Sequence, residues 1–281
     1  MKKVRVVTDS ASGLPRTVQD EYQISVVPIP IQVGDESYKE GDSISLEEFY
    51  RRLDGSVMPK TSSPSPGDFI KVYRNLSEIS DDIISIHVTA KGSGTCQSAK
   101  VAADAVAGQT RVHVYDSNTV SMGVGFLAIE AARAALEGLN LGQITERLDS
   151  LKTRIKAFVA IPTLKYLQKS GRLSQGQAIF GSILSIKPVI EVKDGLLKVV
   201  DKARSYPRAL ERVAELASNA VSNIPARVAV MHANSYEEAL KFAESLKRRV
   251  NIEQLTIGDV GASLALHGGP GMIGVVLLAL R

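Results

Sequence analysis

The chain has 281 residues and a net charge of +4, with 44% hydrophobic and 23% charged residues. This length predicts one large or two ordinary domains with a sizeable core, and the composition excludes a disordered chain. Aromatic residues are only 5% of the chain, Trp is absent, and Lys and Arg are dispersed. The sequence therefore lacks the basic, aromatic stripe of nucleic-acid-binding proteins, and no nucleic-acid partner is expected.

Cysteine content and hydropathy indicate the cellular compartment. Cys96 is the single cysteine, so an internal disulfide framework and a cysteine metal cluster are excluded. The apolar run near the start is interrupted by Thr8 and Asp9, which favours a first strand over a signal peptide. The uncharged run over 272–280 is too short to cross a bilayer as a helix. We expect a cytoplasmic protein with no stable membrane insertion.

The first quarter of the chain predicts strands and two short helices, the first of which is opened by Leu14-Pro15 and has about two turns. Valines within 4–7 predict a strand that ends in a loop at Asp9. Residues 24–33 are rich in β-formers but contain two prolines, so they predict an edge strand. A capping box before 46–53 predicts a short helix there.

A proline-rich connector, PKTSSPSPGDF, follows over 59–69. Its prolines hold the backbone extended or turned, and Thr61, Ser62 and their neighbours give it a hydroxyl face. One interpretation is a ligand-binding loop. The alternative is a stiff surface loop whose Ser65 begins a helix.

The most informative stretch is 82–103, DIISIHVTAKGSGTCQSAKVAA, where an apolar strand changes into a small-residue loop and then a helix. Free backbone N–H groups and hydroxyls at a helix start suit an anion, which places Ser93 and Gly94 at a candidate site. The alternative is that Ser93 only caps the helix and the glycines only allow the turn. The loop has neither GxGxxG nor the GK[ST] ending of a P-loop, so nucleotide binding is not favoured.

A third strand, 111–115, ends at Asp116. Three predicted strands thus end in hydroxyl or carboxylate loops before a helix. This recurrence is typical of a parallel α/β sheet, whose ligands bind at the carboxyl ends of the strands.

The second half changes character after two helices predicted over 120–136 and 141–154. The remaining strands and helices follow a β-β-α-β-α-β spacing. We predict an α/β protein of two domains: an N-terminal three-layer α/β/α domain with a mostly parallel sheet over 1–158, and a smaller C-terminal α/β sandwich with a mixed sheet over 159–281. A Ser-Gly break leaves Arg172 in a loop, and a glycine-rich turn over 267–271 presents His267 at a strand entrance.

Few residues suit bond-breaking chemistry. Cys96 has no histidine signature and is predicted to be inert packing, while His87 and His113 are predicted as ordinary strand residues. Metal-ligand spacings and GxSxG are absent from the sequence. Asp9 and Asp116 are favoured as loop caps. Hydroxyls, glycine amides, Arg172 and a protonated His267 remain, and these suit the holding of an anion.

Six motifs in order along the chain resemble the DegV family of fatty-acid-binding proteins: TDS at 8–10, KTSSPSPGDF at 60–69, SGTCQSA at 93–99, LKYLQKSGRL at 164–173, IKPVIEVKDG at 186–195 and HGGPGMIGV at 267–275. The resemblance implies a long-chain fatty acid of the palmitate, stearate or oleate type, buried in a tunnel between the domains. It also implies that some members present the acyl carboxylate to a separate ATP-binding subunit of a fatty acid kinase.

Carried over residue by residue, the resemblance implies that Thr61 and Ser93 bind the carboxylate, with Ser62 and the Gly94 amide beside them. Arg172 and His267 are then expected at the tunnel mouth. This reading needs no catalytic residue, cofactor or metal. A stand-alone hydrolase or phosphotransferase that uses Asp9, Asp116 and the Ser/Thr loops is the alternative. Hydrophobicity suggests these lining residues: Phe126, Phe158, Ile161, Leu164, Leu167, Ile179, Phe180, Ile183 and Leu184.

Overall fold

The computed structural model describes residues 3–53, 55, 58–172 and 186–281. The chain divides into two compact units, Met1–Thr153 and Arg154–Arg281. The boundary predicted at residue 158 falls inside the first strand of the second unit, Ile155–Ala160. Four of the residues suggested as tunnel lining, Ile179, Phe180, Ile183 and Leu184, lie outside the described residues.

The first unit contains seven strands and six α-helices among its described residues. The strands are β1 (Arg5–Asp9), β2 (Ser25–Val27), β3 (Pro30–Val33), β4 (Glu36–Lys39), β5 (Lys60–Thr61), β6 (Asp82–His87) and β7 (Arg111–Asp116). The helices are α1 (Arg16–Tyr22), α2 (Leu46–Leu53), α3 (Pro66–Ser77), α4 (Thr95–Ala105), α5 (Met122–Leu136) and α6 (Leu141–Lys152).

A four-stranded sheet forms the centre of this unit, in the order β2-β1-β6-β7, and every pairing in it is parallel. Phe69 and Tyr73 of α3 and Ala99 of α4 pack with Ile83 of β6 in one buried cluster. Because alternate side chains of a strand point to opposite faces, Ile84 and Ile86 face the other layer, where α5 and α6 contact the sheet. The predicted three-layer α/β/α arrangement is confirmed.

The prediction of one edge strand over 24–33 was wrong in one respect. Residues 28–29 interrupt it, so β2 joins the parallel sheet while β3 joins a separate antiparallel sheet in the order β4-β3-β5. Pro28 supplies no backbone N–H for a ladder, which explains the break. The small sheet fixes the connector, since Thr61 of β5 pairs with Ile31 of β3.

The second unit contains a six-stranded mixed sheet in the order β10-β9-β8-β13-β11-β12. Its strands are β8 (Ile155–Ala160), β9 (Lys187–Lys193), β10 (Leu196–Ala203), β11 (Ala226–His232), β12 (Ile252–Asp259) and β13 (Ile273–Ala279). Its described helices are α7 (Lys165–Ser170), α8 (Tyr206–Val221), α9 (Tyr236–Lys247) and α10 (Ala262–Gly268).

Local sequence explains two features of this sheet. Asp194 and Gly195 both have positive φ, 53° and 75°, as the tight turn between β9 and β10 requires. Apolar residues of α8 and α9, among them Val213 and Phe242, pack with Val228 and Val275 in one buried cluster. Within the described residues, no helix is both long and apolar enough to span a membrane.

Candidate ligand-binding site

Three aspartates in the described chain, Asp9, Asp116 and Asp259, end parallel strands in the same way. Asp9 of β1 accepts hydrogen bonds from the Ala11 N–H at 3.1 Å and from the Val88 N–H at 3.0 Å. The Asp9 carboxylate thus accepts one hydrogen bond from its own loop, two residues further along the chain, and one from the loop after the neighbouring strand. The interpretation of Asp9 and Asp116 as loop caps agrees with these contacts.

Asp116 of β7 repeats the arrangement on the other side of β6. It accepts hydrogen bonds from the Asn118 N–H at 3.0 Å and from the Ala90 N–H at 3.2 Å. The Thr89 N–H also donates to the Thr119 carbonyl at 2.9 Å. The loops that follow β1, β6 and β7 are therefore joined at the carboxyl edge of the parallel sheet, where α/β proteins usually bind ligands.

A buried polar chain lies beneath these loops. The Tyr73 hydroxyl donates to Ser85 Oγ at 2.8 Å, and Ser85 Oγ lies 2.7 Å from His87 Nε2. His87 Nδ1 lies 3.0 Å from Asp9 Oδ2. Since the carboxylate only accepts, we assign the imidazole proton to Nδ1, which leaves Nε2 to accept from Ser85.

These buried polar residues are hydrogen-bonded in the order of a serine hydrolase triad, but they are inaccessible to solvent. Ser85, His87 and Asp9 are each 0% exposed, and the Ser85 oxygen is already bonded to Tyr73. A nucleophile must reach its substrate, so the geometry favours a structural role for Asp9 and His87. No local pattern predicts this contact, because the two residues are separated by 78 positions.

The loop before α4 contains the predicted residues Ser93 and Gly94. Ser93 Oγ lies 2.8 Å from Thr95 Oγ1 and accepts the Thr95 N–H at 3.3 Å. Gly94 is the N-cap of α4, which begins at Thr95 rather than at the predicted Ser98. Ser93 therefore precedes the N-cap instead of occupying it, its hydroxyl accepts the first helical N–H, and its side chain is half-buried.

The proline-rich connector lies against this loop. A methyl group added to Gly94 would lie 3.0 Å from Ser63 Oγ, so a larger residue here would have to displace the Ser63 side chain. Ser62 is held by its N–H, which donates to the Pro30 carbonyl at 3.3 Å. Ser65 caps α3 in a capping box with Asp68, which confirms the predicted helix start. The structure thus brings Ser63 of the connector close to Gly94 of the loop before α4.

Arg172 and His267 belong to the second unit. Arg172 follows α7 and is exposed, with its guanidinium bonded to the Ser170 carbonyl. His267 was predicted in a glycine-rich turn, but it lies in the last turn of α10. The apolar spacing in SLALH is compatible with a helix, but the glycines that follow it favour a turn.

The charge expected on His267 also needs correction. Burial, reinforced by the Arg172 charge, lowers the pKa of His267 to about 4. The imidazole is therefore neutral near pH 7, and Arg172 is left to supply the positive charge. His267 Nδ1 is buried without a hydrogen-bond partner in the described chain, so it has an unused capacity for one hydrogen bond.

Two further predictions concern reactivity. Burial raises the pKa of the Cys96 thiol to about 12, so the side chain stays protonated and behaves as inert packing, as predicted. Across the described residues, no group of three or more His, Cys, Asp or Glu side chains could hold a metal ion.

The comparisons with known proteins agree with one another. The family model described as "Uncharacterised protein, DegV family" matches residues 3–280. The chain belongs to the DegV family. A DegV domain-containing protein of Caldanaerobacter subterraneus subsp. tengcongensis is 36% identical over 276 residues, which cover 98% of each chain.

Solved structures of other DegV-family proteins have the same fold. The fatty-acid-binding DegV-family protein from Thermus thermophilus superposes with a TM-score of 0.92 at 30% identity, covering 99% of this chain and 100% of that one. A stearic-acid-binding protein from Eubacterium ventriosum superposes with a TM-score of 0.90 at 26% identity, covering 98% of each chain. The fold predicted from the sequence is therefore that of the family.

Proposed function

We propose that this DegV-family chain binds a long-chain fatty acid, holds its carboxylate at the carboxyl edge of the parallel sheet, and buries the acyl tail in a tunnel. The observation that carries the proposal is the approach of the connector to the start of α4, where Ser63 and Gly94 are in contact distance. Hydroxyls and free N–H groups from two loops meet there at the positive end of a helix. The fatty-acid-binding relatives have the same fold.

The tail supplies most of the binding free energy in this proposal. At about 0.8 kcal/mol per buried CH₂, a sixteen-carbon chain gains on the order of 10 kcal/mol before association costs. The head-group contacts need only orient the acid. Neutral hydroxyls are sufficient for that purpose, since a charged acceptor shortens and strengthens each hydrogen bond.

The proposed roles differ among the residues. Thr61, Ser62, Ser93 and the Gly94 amide donate hydrogen bonds to the carboxylate. Arg172 supplies positive charge, and neutral His267 uses its free Nδ1 for a hydrogen bond. We further propose that the bound acid is presented to a separate ATP-binding kinase subunit, which forms the acyl phosphate.

Mass spectrometry of the protein purified from a bacterial host tests ligand binding directly. Denaturation should release stoichiometric fatty acid, and the stripped protein should bind palmitate or oleate. A protein that contains no lipid and binds neither acid would contradict the proposal.

Substitution of Thr61 and Ser93 by Ala tests the head-group contacts. The double variant should retain less fatty acid, because two charge-assisted hydrogen bonds are lost. Ser65→Ala is the matched control, since it also removes a helix-capping hydroxyl but not a proposed ligand contact. Equal lipid retention in the double variant and the control would assign Ser93 to capping alone.

Arg172→Ala tests the presentation step. The variant should still bind oleate, because the tail dominates affinity, while phosphorylation by an added fatty acid kinase subunit falls. Arg208→Ala, which removes an exposed arginine paired with Glu211 on the helix surface, is the control. Phosphorylation at the wild-type rate would remove Arg172 from the proposed site.

A further inference from the structure

The N-terminus of α5 has a feature that the residues discussed so far do not explain. Ser121 precedes this 15-residue helix with φ of 55°, and its side chain makes no capping hydrogen bond. Its Oγ is buried without a partner among the described residues, and the residue is 6% exposed. Buried hydroxyls are almost always hydrogen-bonded, so this oxygen should have a partner that the described residues do not supply.

A second hydroxyl in the same condition lies on β1. Thr8 is 0% exposed, and its Oγ1 also has no partner within the described chain. Its neighbour Val7 packs in the α3 and α4 cluster, so Thr8 faces the α5 layer by strand alternation. It lies at the carboxyl end of the strand, one residue before Asp9.

The first turns of α5 approach the loop after β1 closely. A methyl group added to Gly125 would lie 2.9 Å from the Ser12 carbonyl oxygen. The end of β1 and the start of α5 therefore form one corner of the first unit. This corner adjoins the candidate site, because the Thr89 N–H of the loop before α4 donates to Thr119, two residues before Ser121.

The two helix starts differ in how their hydroxyls are used. At α4, Ser93 and Thr95 are bonded to each other at 2.8 Å. At α5, the buried hydroxyls of Ser121 and of the adjoining strand are both unused. One O–H donor at the positive end of a long helix, and a second on the strand that contacts this helix, suit a ligand group that only accepts hydrogen bonds.

We infer that Thr8 and Ser121 form a carboxylate subsite, in which both hydroxyls donate to the oxygens of a bound carboxylic acid at the start of α5. This inference deepens the proposed function and rests on it, since the acid is the fatty acid. A carboxylate offers about four acceptor directions, so these two hydroxyls take two of them and the donors proposed above share the remaining two.

The test compares two ligands of the same chain length, oleate and oleyl alcohol, on delipidated full-length protein. Thr8→Val removes one hydroxyl with little change of shape. Ser121→Gly removes the other and suits the positive φ. Each variant should bind oleate roughly tenfold more weakly, as loss of a hydrogen bond to a charged group implies, while its affinity for the alcohol changes less than about threefold.

Thr110→Val is the matched control. Thr110 is a buried hydroxyl that already donates to the Ser80 carbonyl at 3.4 Å, near the amino end of the sheet. This variant should bind oleate and the alcohol as the wild type does. The melting temperature of the ligand-free protein gives a second measurement, which should stay unchanged or rise in Thr8→Val and Ser121→Gly because an unpartnered buried polar group is removed.

The outcomes separate the two proposals. Wild-type protein that binds no oleate overturns the proposed function and this subsite with it. Wild-type binding with unchanged oleate affinity in both variants overturns the subsite alone. Equal weakening of oleate and alcohol, with a lower melting temperature, assigns the hydroxyls to a structural water and also overturns it. Selective loss of oleate affinity supports the subsite.

Discussion

Two aspartate–histidine pairs, one in each unit, have the same local arrangement and a different environment. In the first unit Asp9 Oδ2 lies 3.0 Å from His87 Nδ1. In the second, Asp259 Oδ2 lies 3.6 Å from His232 Nδ1, and Asp259 accepts the Gly261 and Asn234 N–H groups at 2.8 and 3.4 Å. Both pairs join the ends of adjacent parallel strands.

Their burial follows from the position of the strands. Both side chains of the Asp9–His87 pair are 0% exposed, whereas Asp259 and His232 are 16% and 9% exposed. β1 and β6 are the two inner strands of their sheet, and β12 is an edge strand. Burial lowers the pKa of His232, although Asp259 acts in the opposite direction. The comparison shows that one strand-end motif can be a buried support or a surface feature.

The largest difference is expected from Asp9→Asn. Both carboxylate oxygens of Asp9 accept hydrogen bonds, from the Ala11 and Val88 N–H groups and from His87. In the Asn variant the amide NH₂ would replace one acceptor oxygen, so at least one of these donors would lose its partner in the core. We expect the free energy of unfolding to fall by about 3–5 kcal/mol, as measured by urea denaturation.

Asp259→Asn is the matched substitution at the edge strand, and it should cost about 1 kcal/mol because water can replace the lost contact. Equal losses for Asp9→Asn and Asp259→Asn would show that burial does not distinguish the pairs. The ligand-free form of each variant should be used, so that a bound lipid does not add to the stability.

The pH dependence of stability should report on His267, which is buried beside a cation, Arg172. Its folded pKa of about 4 lies below the ordinary value of 6.5, so the unfolded chain binds the proton first as pH falls. The contribution of neutral His267 to the free energy of unfolding is fully present above about pH 6.5, and up to about 3 kcal/mol of it is lost as the pH approaches 4. Denaturation at several pH values measures this slope.

His267→Gln should remove that part of the slope, whereas substitution of the exposed His113 by Gln should leave the profile unchanged. A wild-type profile in His267→Gln would mean that other groups, the carboxylates among them, control acid stability.

Within the buried hydrogen-bond chain, the smallest loss of stability is expected at the end farthest from Asp9. Tyr73→Phe removes a hydroxyl that donates to Ser85 Oγ at 2.8 Å, while Ser85 keeps its contact with His87. We expect a loss of about 1–1.5 kcal/mol in the free energy of unfolding. Tyr236→Phe, at an exposed ring in the second unit, should change the free energy of unfolding little. A loss for Tyr73→Phe as large as that for Asp9→Asn would show that the buried hydrogen-bond chain behaves as one cooperative unit.

The sequence determined the order of strands and helices, the three-layer first unit and the helix start at Ser65, because alternation, capping residues and prolines act over a few positions. It also pointed to the loops at 61–63 and 93–94. It did not reveal α10 around His267, where the glycines that follow outweighed a short helical period.

Only the tertiary structure decided which of those residues meet. The contacts of Asp9 with His87 and of Gly94 with Ser63 join distant parts of the chain, and no local pattern encodes them. Burial is likewise a property of the packed sheet: it neutralises His267 and leaves Thr8 and Ser121 without partners in the described chain. Residue type fixes what a side chain can do, and the surrounding fold fixes its protonation and its partners.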